Sequence, residues 1–386
     1  MYVVTGLLIA FVMGATAWQI SGTAPGVGLF DFEAFHLVGE LTLDGNAVAA
    51  HTPEAFLEAQ KELPRYSGGY FQWAYPPLYD MVSGILALFP PWLAYLLFEG
   101  ATLAAFLWVL RRLAGPHFGF VLLCVLPVIL LTLRTGQNAF LTAFLIGMTC
   151  LLTLRGTAKA GVPLGFMALK PHLALGIGLG LLLKGRWAAA AISVALALGL
   201  YGLSYVVLGA EAWAAFFDTA KRTSASLFRG DHFWYRQTSI ASTALSLGAA
   251  PKLAMALHLT GLAGAVAGLV ALAIRGVPLA SFLGFSVITS AMVSPYGYDY
   301  DLAMLGVAAA LLAAPLATRI TSIERVIFLY GFWVLYASGL VVAIMTADAN
   351  QADIVQRPSV NGFVLAMMAA MVFARLFKIG PERREN

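Results

Sequence analysis

Residues 118–155 read FGFVLLCVLPVILLTLRTGQNAFLTAFLIGMTCLLTLR. Two apolar runs, 118–133 and 138–155, enclose the turn Arg134-Thr135-Gly136-Gln137. A perpendicular helix needs about 20 residues to cross the hydrocarbon of a bilayer, so both runs are short. Short or broken helices survive there only where neighbouring protein or a polar cavity satisfies their backbone. The runs 161–170 and 172–183 repeat the pattern around Lys170-Pro171. Outward from these pairs the chain stays apolar: of 386 residues, 60% are hydrophobic and 11% charged. Soluble domains carry about 25% charged residues, so the bilayer is the solvent for most of this chain. Its two cysteines, Cys124 and Cys150, lie inside apolar runs and form no disulfide framework or zinc-type spacing.

Twelve candidate spans follow: 2–20, 91–113, 118–133, 138–155, 161–170, 172–183, 187–208, 253–274, 278–293, 300–315, 325–345 and 360–377. Residues 2–20 are read as a retained first span, since no basic region precedes them, although Ala15-Thr16-Ala17 resembles a cleavage site. With the N-terminus inside, Arg111, Arg112, Arg155, Lys159, Lys184, Arg186, Arg275, Arg319, Arg325, Arg375, Lys378, Arg383 and Arg384 all fall on the cytoplasmic side. Only Glu324, Glu382 and Glu385 oppose them, which makes the inner side +10 and the outer side −5. The whole chain, 1–386, reads as one all-α integral membrane bundle with two long outer loops, 21–90 and 209–252. The first loop holds two amphipathic stretches, one marked by Phe32, Phe35 and Leu41. Phe56, Ala59 and Leu63 mark the other, with Thr52 as N-cap and Pro53 at N1. Both are expected to lie along the membrane surface. The second loop is rich in aromatic and basic residues, among them Trp213, Lys221, Arg222, Arg229, Trp234 and Arg236.

Under this topology five polar clusters fall at the outer ends of spans. They are Asp31-Phe32-Glu33, Tyr75-Pro76-Pro77, Arg134 to Asn138, Lys170-Pro171-His172, and Ser294 to Asp301 with its Tyr298, Asp299 and Asp301. Charge below the membrane surface is costly and marks either a substrate path or a paired site. Each group also has a plain structural reading. Asp31 can simply start a helix, Arg134 can snorkel, Asp299 and Asp301 can cap a turn, and His36 and His172 can be hydrogen-bonded packing residues. Lys170 resists such a reading most, because it interrupts an apolar run just before a proline. No Ser/His/Asp order, HExxH, P-loop or Rossmann glycine pattern occurs. Nucleotide sugars do not reach the outer face, so an activated substrate there arrives on a lipid. Cations such as Lys170 and Arg134 would hold its phosphate, and a carboxylate such as Asp31 would deprotonate an attacking hydroxyl.

The order Asp31-Phe32, Tyr75-Pro76-Pro77-Leu78, Gly136-Gln137-Asn138, Leu169-Lys170-Pro171 and Ser294-Pro295 resembles glycosyltransferase family 87 over roughly residues 20–315. This is the polyprenol-phosphate-mannose-dependent mannosyltransferase group of the GT-C superfamily. The resemblance implies a GT-C fold with its catalytic acid in the first outer loop, at Asp31. It also implies a polyprenyl-phosphate sugar donor and inverting transfer to the hydroxyl of a glycolipid or glycan. Substrate contacts are expected from Glu33, Tyr75, Arg134, Gln137, Asn138, Lys170, His172, Tyr298, Asp299 and Asp301. The segment after Ser294-Pro295 departs from the histidine-containing pattern of the family's mannosyltransferases. Membrane lipids are expected partners and nucleic acid is not. No cofactor is expected, since the lipid-linked donor is a substrate, and the outer acidic groups name no metal site. The protein is expected in the cell (inner) membrane with its active site facing the periplasmic, extracytoplasmic side. A transporter or flippase of lipids or lipid-linked sugars would also use broken helices and buried cations, but it would place them at mid-membrane depth.

Overall fold

A computed structural model describes residues 2–22, 30–64, 66, 70–226, 234–345 and 357–379. Arg229, Glu382, Arg383, Arg384 and Glu385 lie outside the described residues, as do parts of both outer loops. Helices and 3-10 turns make up the ordered backbone, and the described residues contain no strand. The first helix, α1 (Tyr2–Ile20), is followed in the first loop by α2 (Asp31–Leu43), α3 (Ala47–Ala50), α4 (Pro53–Lys61) and α5 (Pro77–Leu86). The bundle continues with α6 (Pro91–Ala114), α7 (Phe118–Thr135), α8 (Ala139–Leu154), α9 (Gly161–Phe166) and α10 (Leu175–Leu183). The long α11 (Trp187–Ser226), α12 (Ile240–Ser246), α13 (Pro251–Ile274), α14 (Leu279–Ala291), α15 (Leu305–Ala317), α16 (Ser322–Met345) and α17 (Asn361–Phe377) complete it.

By length and composition, five helical stretches among the described residues can cross a membrane: Tyr2–Ile20, Pro91–Thr135, Trp187–Thr223, Pro251–Ile274 and Asp299–Ala317. Five apolar stretches are shorter: Ala139–Leu154, Ala158–Leu169, Pro171–Leu183, Leu279–Ala291 and Asn361–Phe377. The runs read as short in the sequence, 138–155, 161–170 and 172–183, fall among these shorter stretches. Within Pro91–Thr135 the chain turns at Gly115, whose φ of 53° suits a residue without Cβ. The 161–183 region is a broken element in which α9, two 3-10 turns and α10 follow one another, with Lys170 between the turns in a non-helical conformation. Helix α11 bends at Gly209 (φ 85°) and runs on through the first part of the second loop.

The main core is built by α6 to α8, α10, α14, α15 and α17, and it contains Cys124 and Cys150 as buried free thiols. A second core belongs to the first loop, where Phe32, Phe35, Phe56, Trp73, Tyr79 and Tyr95 gather. There α2 buries Phe32 and Ala34 to Gly39 and packs on α5 and α6. Pro53 opens α4 as expected, but the Thr52 hydroxyl donates to Val48 O (3.0 Å) instead of accepting from the first turn of α4. Helix α3, unrecognised in the sequence, offers that nearer acceptor.

Candidate active site

Asp31 is the first residue of α2, where the free N–H groups of a helix start favour a carboxylate. Its Oδ2 accepts a hydrogen bond from Gln137 Nε2 at 2.7 Å, and Gln137 Oε1 accepts one from the Tyr75 hydroxyl at 3.1 Å. Gln137 is buried in the turn between α7 and α8. That turn is possible because Gly136 is left-handed (φ 72°) and bare: a Cβ there would sit 2.5 Å from Phe32 Cβ. The short helix pair thus delivers its turn against the residue that follows Asp31. Burial raises the Asp31 carboxyl above its ordinary range, while Arg236, the Gln137 hydrogen bond and Lys170 pull it partly back.

Lys170 is buried, and its Nζ lies 2.5 Å from Asp301 Oδ1 and 3.2 Å from Asn138 Oδ1. The rings of Tyr75 and Tyr300 flank it at 5.2 Å each. His172 is within electrostatic reach of both Lys170 and Asp301. All five clusters expected from the sequence therefore meet around two polar links, Asp31–Gln137–Tyr75 and Lys170–Asp301.

A further cation was not singled out from the sequence as a site residue. Arg236 pairs in a two-pronged fashion with Asp299, Nε to Oδ2 at 3.2 Å and Nη2 to Oδ1 at 3.0 Å. Tyr298 and Tyr300, stacked 5.5 Å apart, lie beneath the guanidinium. Burial opposes the charge of Arg236, but Asp299 and Asp31 outweigh it and keep the group firmly protonated. An antiparallel bridge between Gln237 and Tyr298 holds this arrangement. Thr238 N also donates to Gly297 O (2.8 Å) and the Ser239 hydroxyl to Pro295 O (2.5 Å). The only sequence signal was the concentration of basic and aromatic residues in the second loop.

Two of the expected contacts also make local interactions. Glu33 Oε2 accepts from Phe30 N at 2.8 Å, the reach-back bond of a capping box, so Glu33 secures the start of α2. The Arg134 guanidinium lies 4.3 Å from the Phe30 ring centre. His36 is structural: Nε2 meets Phe89 O at 2.9 Å and Nδ1 meets Glu40 at 3.2 Å. Among the described residues no group of three His, Cys, Asp or Glu side chains could hold a metal ion.

The site therefore combines one half-buried carboxylate held by an amide with two cations, each neutralised by an aspartate. Acid–base work at Asp31 and binding of an anion at Lys170 and Arg236 both suit this set. Residues 73–295, more than half of the chain, match glycosyltransferase family 87. No curated protein and no solved structure matches the chain.

Proposed function

Because the chain belongs to glycosyltransferase family 87, we propose that it moves a sugar from a polyprenyl-phosphate carrier to an acceptor hydroxyl at the extracytoplasmic face of the cell membrane. The acceptor oxygen attacks the anomeric carbon and its proton passes to Asp31. The bond from that carbon to the phosphate oxygen breaks with inversion, and polyprenyl phosphate leaves with the electron pair. Lys170 and Arg236, with Arg134, stabilise the charge that develops on the phosphate. Mannose is the proposed sugar, and a glycolipid or glycan the acceptor.

One observation carries this reading. A half-buried carboxylate is fixed by Gln137 within electrostatic reach of the buried Lys170 and the partly buried Arg236, so a base and two cations stand together. The Lys170–Asp301 and Arg236–Asp299 pairs keep the cations oriented until a phosphate competes for them. The test incubates purified protein with a panel of polyprenyl-phosphate sugars, with and without chelator, and follows released polyprenyl phosphate. Asp31→Asn abolishes release in a folded, membrane-inserted protein; full activity in that variant refutes the base. Uptake into proteoliposomes with no glycosylated product would instead favour transport.

A further inference from the structure

Behind the site, Asp80 on α5 is fully buried and makes two hydrogen bonds. It accepts the Trp73 indole N–H at 2.8 Å and meets His51 Nε2 at 2.7 Å. His51 is buried as well, and its Nδ1 has no hydrogen-bond partner. Its carbonyl accepts the Thr219 hydroxyl at 2.5 Å, and the Phe216 ring packs edge-on against the imidazole at 5.8 Å. The cluster thus joins α5, the turn after α3 and the far half of α11. Burial raises the Asp80 carboxyl above its ordinary range, while His51 and Trp73 oppose that rise. A buried ionisable pair is weak evidence for stability, since apolar residues often serve as well. What it does provide is a directional hold on its partners.

That hold reaches the site through Trp73. Its indole lies 4.8 Å from the Tyr75 ring centre, and Tyr79 stacks on the same phenol at 4.6 Å. The Tyr75 hydroxyl donates to Gln137 Oε1, so the other end of that amide must be the NH2 group facing Asp31. With the amide reversed, its oxygen would oppose the carboxylate, and Tyr75 would lose its acceptor. We propose that the Asp80–His51–Trp73 cluster is a positioning device for the acid–base centre, fixing Tyr75 so that Gln137 presents its donor to Asp31. The inference rests on the reading of Asp31 as base, and none of the three residues touches substrate in it.

The test is a double-mutant cycle on the full-length enzyme with a polyprenyl-phosphate sugar. Asp80→Asn keeps the volume and one acceptor, and it lowers kcat about tenfold with the donor KM unchanged. It also moves the acid limb of the kcat profile upward, because the charged form of Asp31 loses part of its support. The other groups facing Asp31 are Lys170, Arg236 and the phenols Tyr298 and Tyr300, and they are unchanged in the variant. Tyr75→Phe lowers kcat similarly, and the Asp80→Asn/Tyr75→Phe pair is no worse than Tyr75→Phe alone. Additive losses, or an acid limb that stays in place, overturn the proposal. If Asp80→Asn does not fold, Trp73→Phe removes the indole N–H and is read in the same cycle. Full activity of Asp31→Asn refutes the base reading itself; an inactive Asp31→Asn with an additive cycle refutes only the positioning role.

Discussion

Lys170 serves two ends with one ammonium, and they can be separated. Replacing it with Met leaves Asp301 buried without its counter-charge, which costs about 3–5 kcal/mol, and removes a cation from the site. The Lys170→Met/Asp301→Asn pair restores most of the melting temperature, because no lone charge remains, yet it stays inactive if phosphate needs the cation. Thermal unfolding and product release on the three proteins measure both. At Asp31 the raised carboxyl gives a pH prediction with a definite sign. A base at Asp31 works in its ionised form, so under the proposed mechanism activity falls as pH drops through a value above that of an ordinary aspartate. Gln137→Ala removes a bond that favours the charged form, so the acid limb moves still higher; a limb that moves down contradicts the arrangement. Lys170 stood out in the sequence because a charge inside an apolar run needs a reason, Gln137 and Asn138 because they fall at the turn between two such runs, and Asp31 because it opens an amphipathic stretch in the first outer loop. Glu33 acts as a capping carboxylate in the structure, and a capping carboxylate and a binding carboxylate have the same local sequence. Arg236 was missed because its partner Asp299 lies 63 residues away, and no periodicity reports a contact at that range.

At the level of elements, glycines decide how closely α2 approaches its neighbours. A Cβ on Gly39 would overlap the Ser83 carbonyl on α5, and one on Gly136 would press on Phe32. Gly136→Ala adds a left-handed penalty of about 1 kcal/mol to that clash and pushes Phe32, and Asp31 with it, away from the turn. Activity should fall more than tenfold while the protein still inserts. Gly45→Ala serves as the control: it has a comparable φ of 74°, open space around its Cβ position and no bond to the site, so it carries the strain alone. Equal activity of the two variants would show that the approach at Gly136 does not matter. The short helix pairs around Arg134 and Lys170 were visible as interrupted apolar runs. The 237–298 bridge and the continuation of α11 past Gly209 were not, since one is a non-local backbone contact and the other an ordinary helix carrying loop-like composition.

Across the whole molecule, the ion pairs among the described residues respect the division of charge drawn from the sequence. Lys170–Asp301, Arg236–Asp299 and Arg222–Glu54 join residues assigned to the outer side, and Arg375–Glu324 joins two assigned to the inner side. A bundle whose two ends differ in this way has one end suited to the cytoplasm by the excess of Lys and Arg. The proposed reaction needs Asp31 at the other end, because in it a lipid-linked sugar replaces a nucleotide sugar. Single cysteines can decide the direction. Cys124 and Cys150 are buried, so a charged maleimide meets little background in the parent protein. Glu58, exposed on α4, has only a surface pair with Lys61, and Lys159, between α8 and α9, is exposed, so neither substitution should cost much stability. Glu58→Cys is labelled in intact spheroplasts, and Lys159→Cys only after the membrane is opened. The reverse pattern would put Asp31, which shares the first loop with Glu58, on the cytoplasmic side, and a lipid-linked donor would then no longer be required by the location of the site.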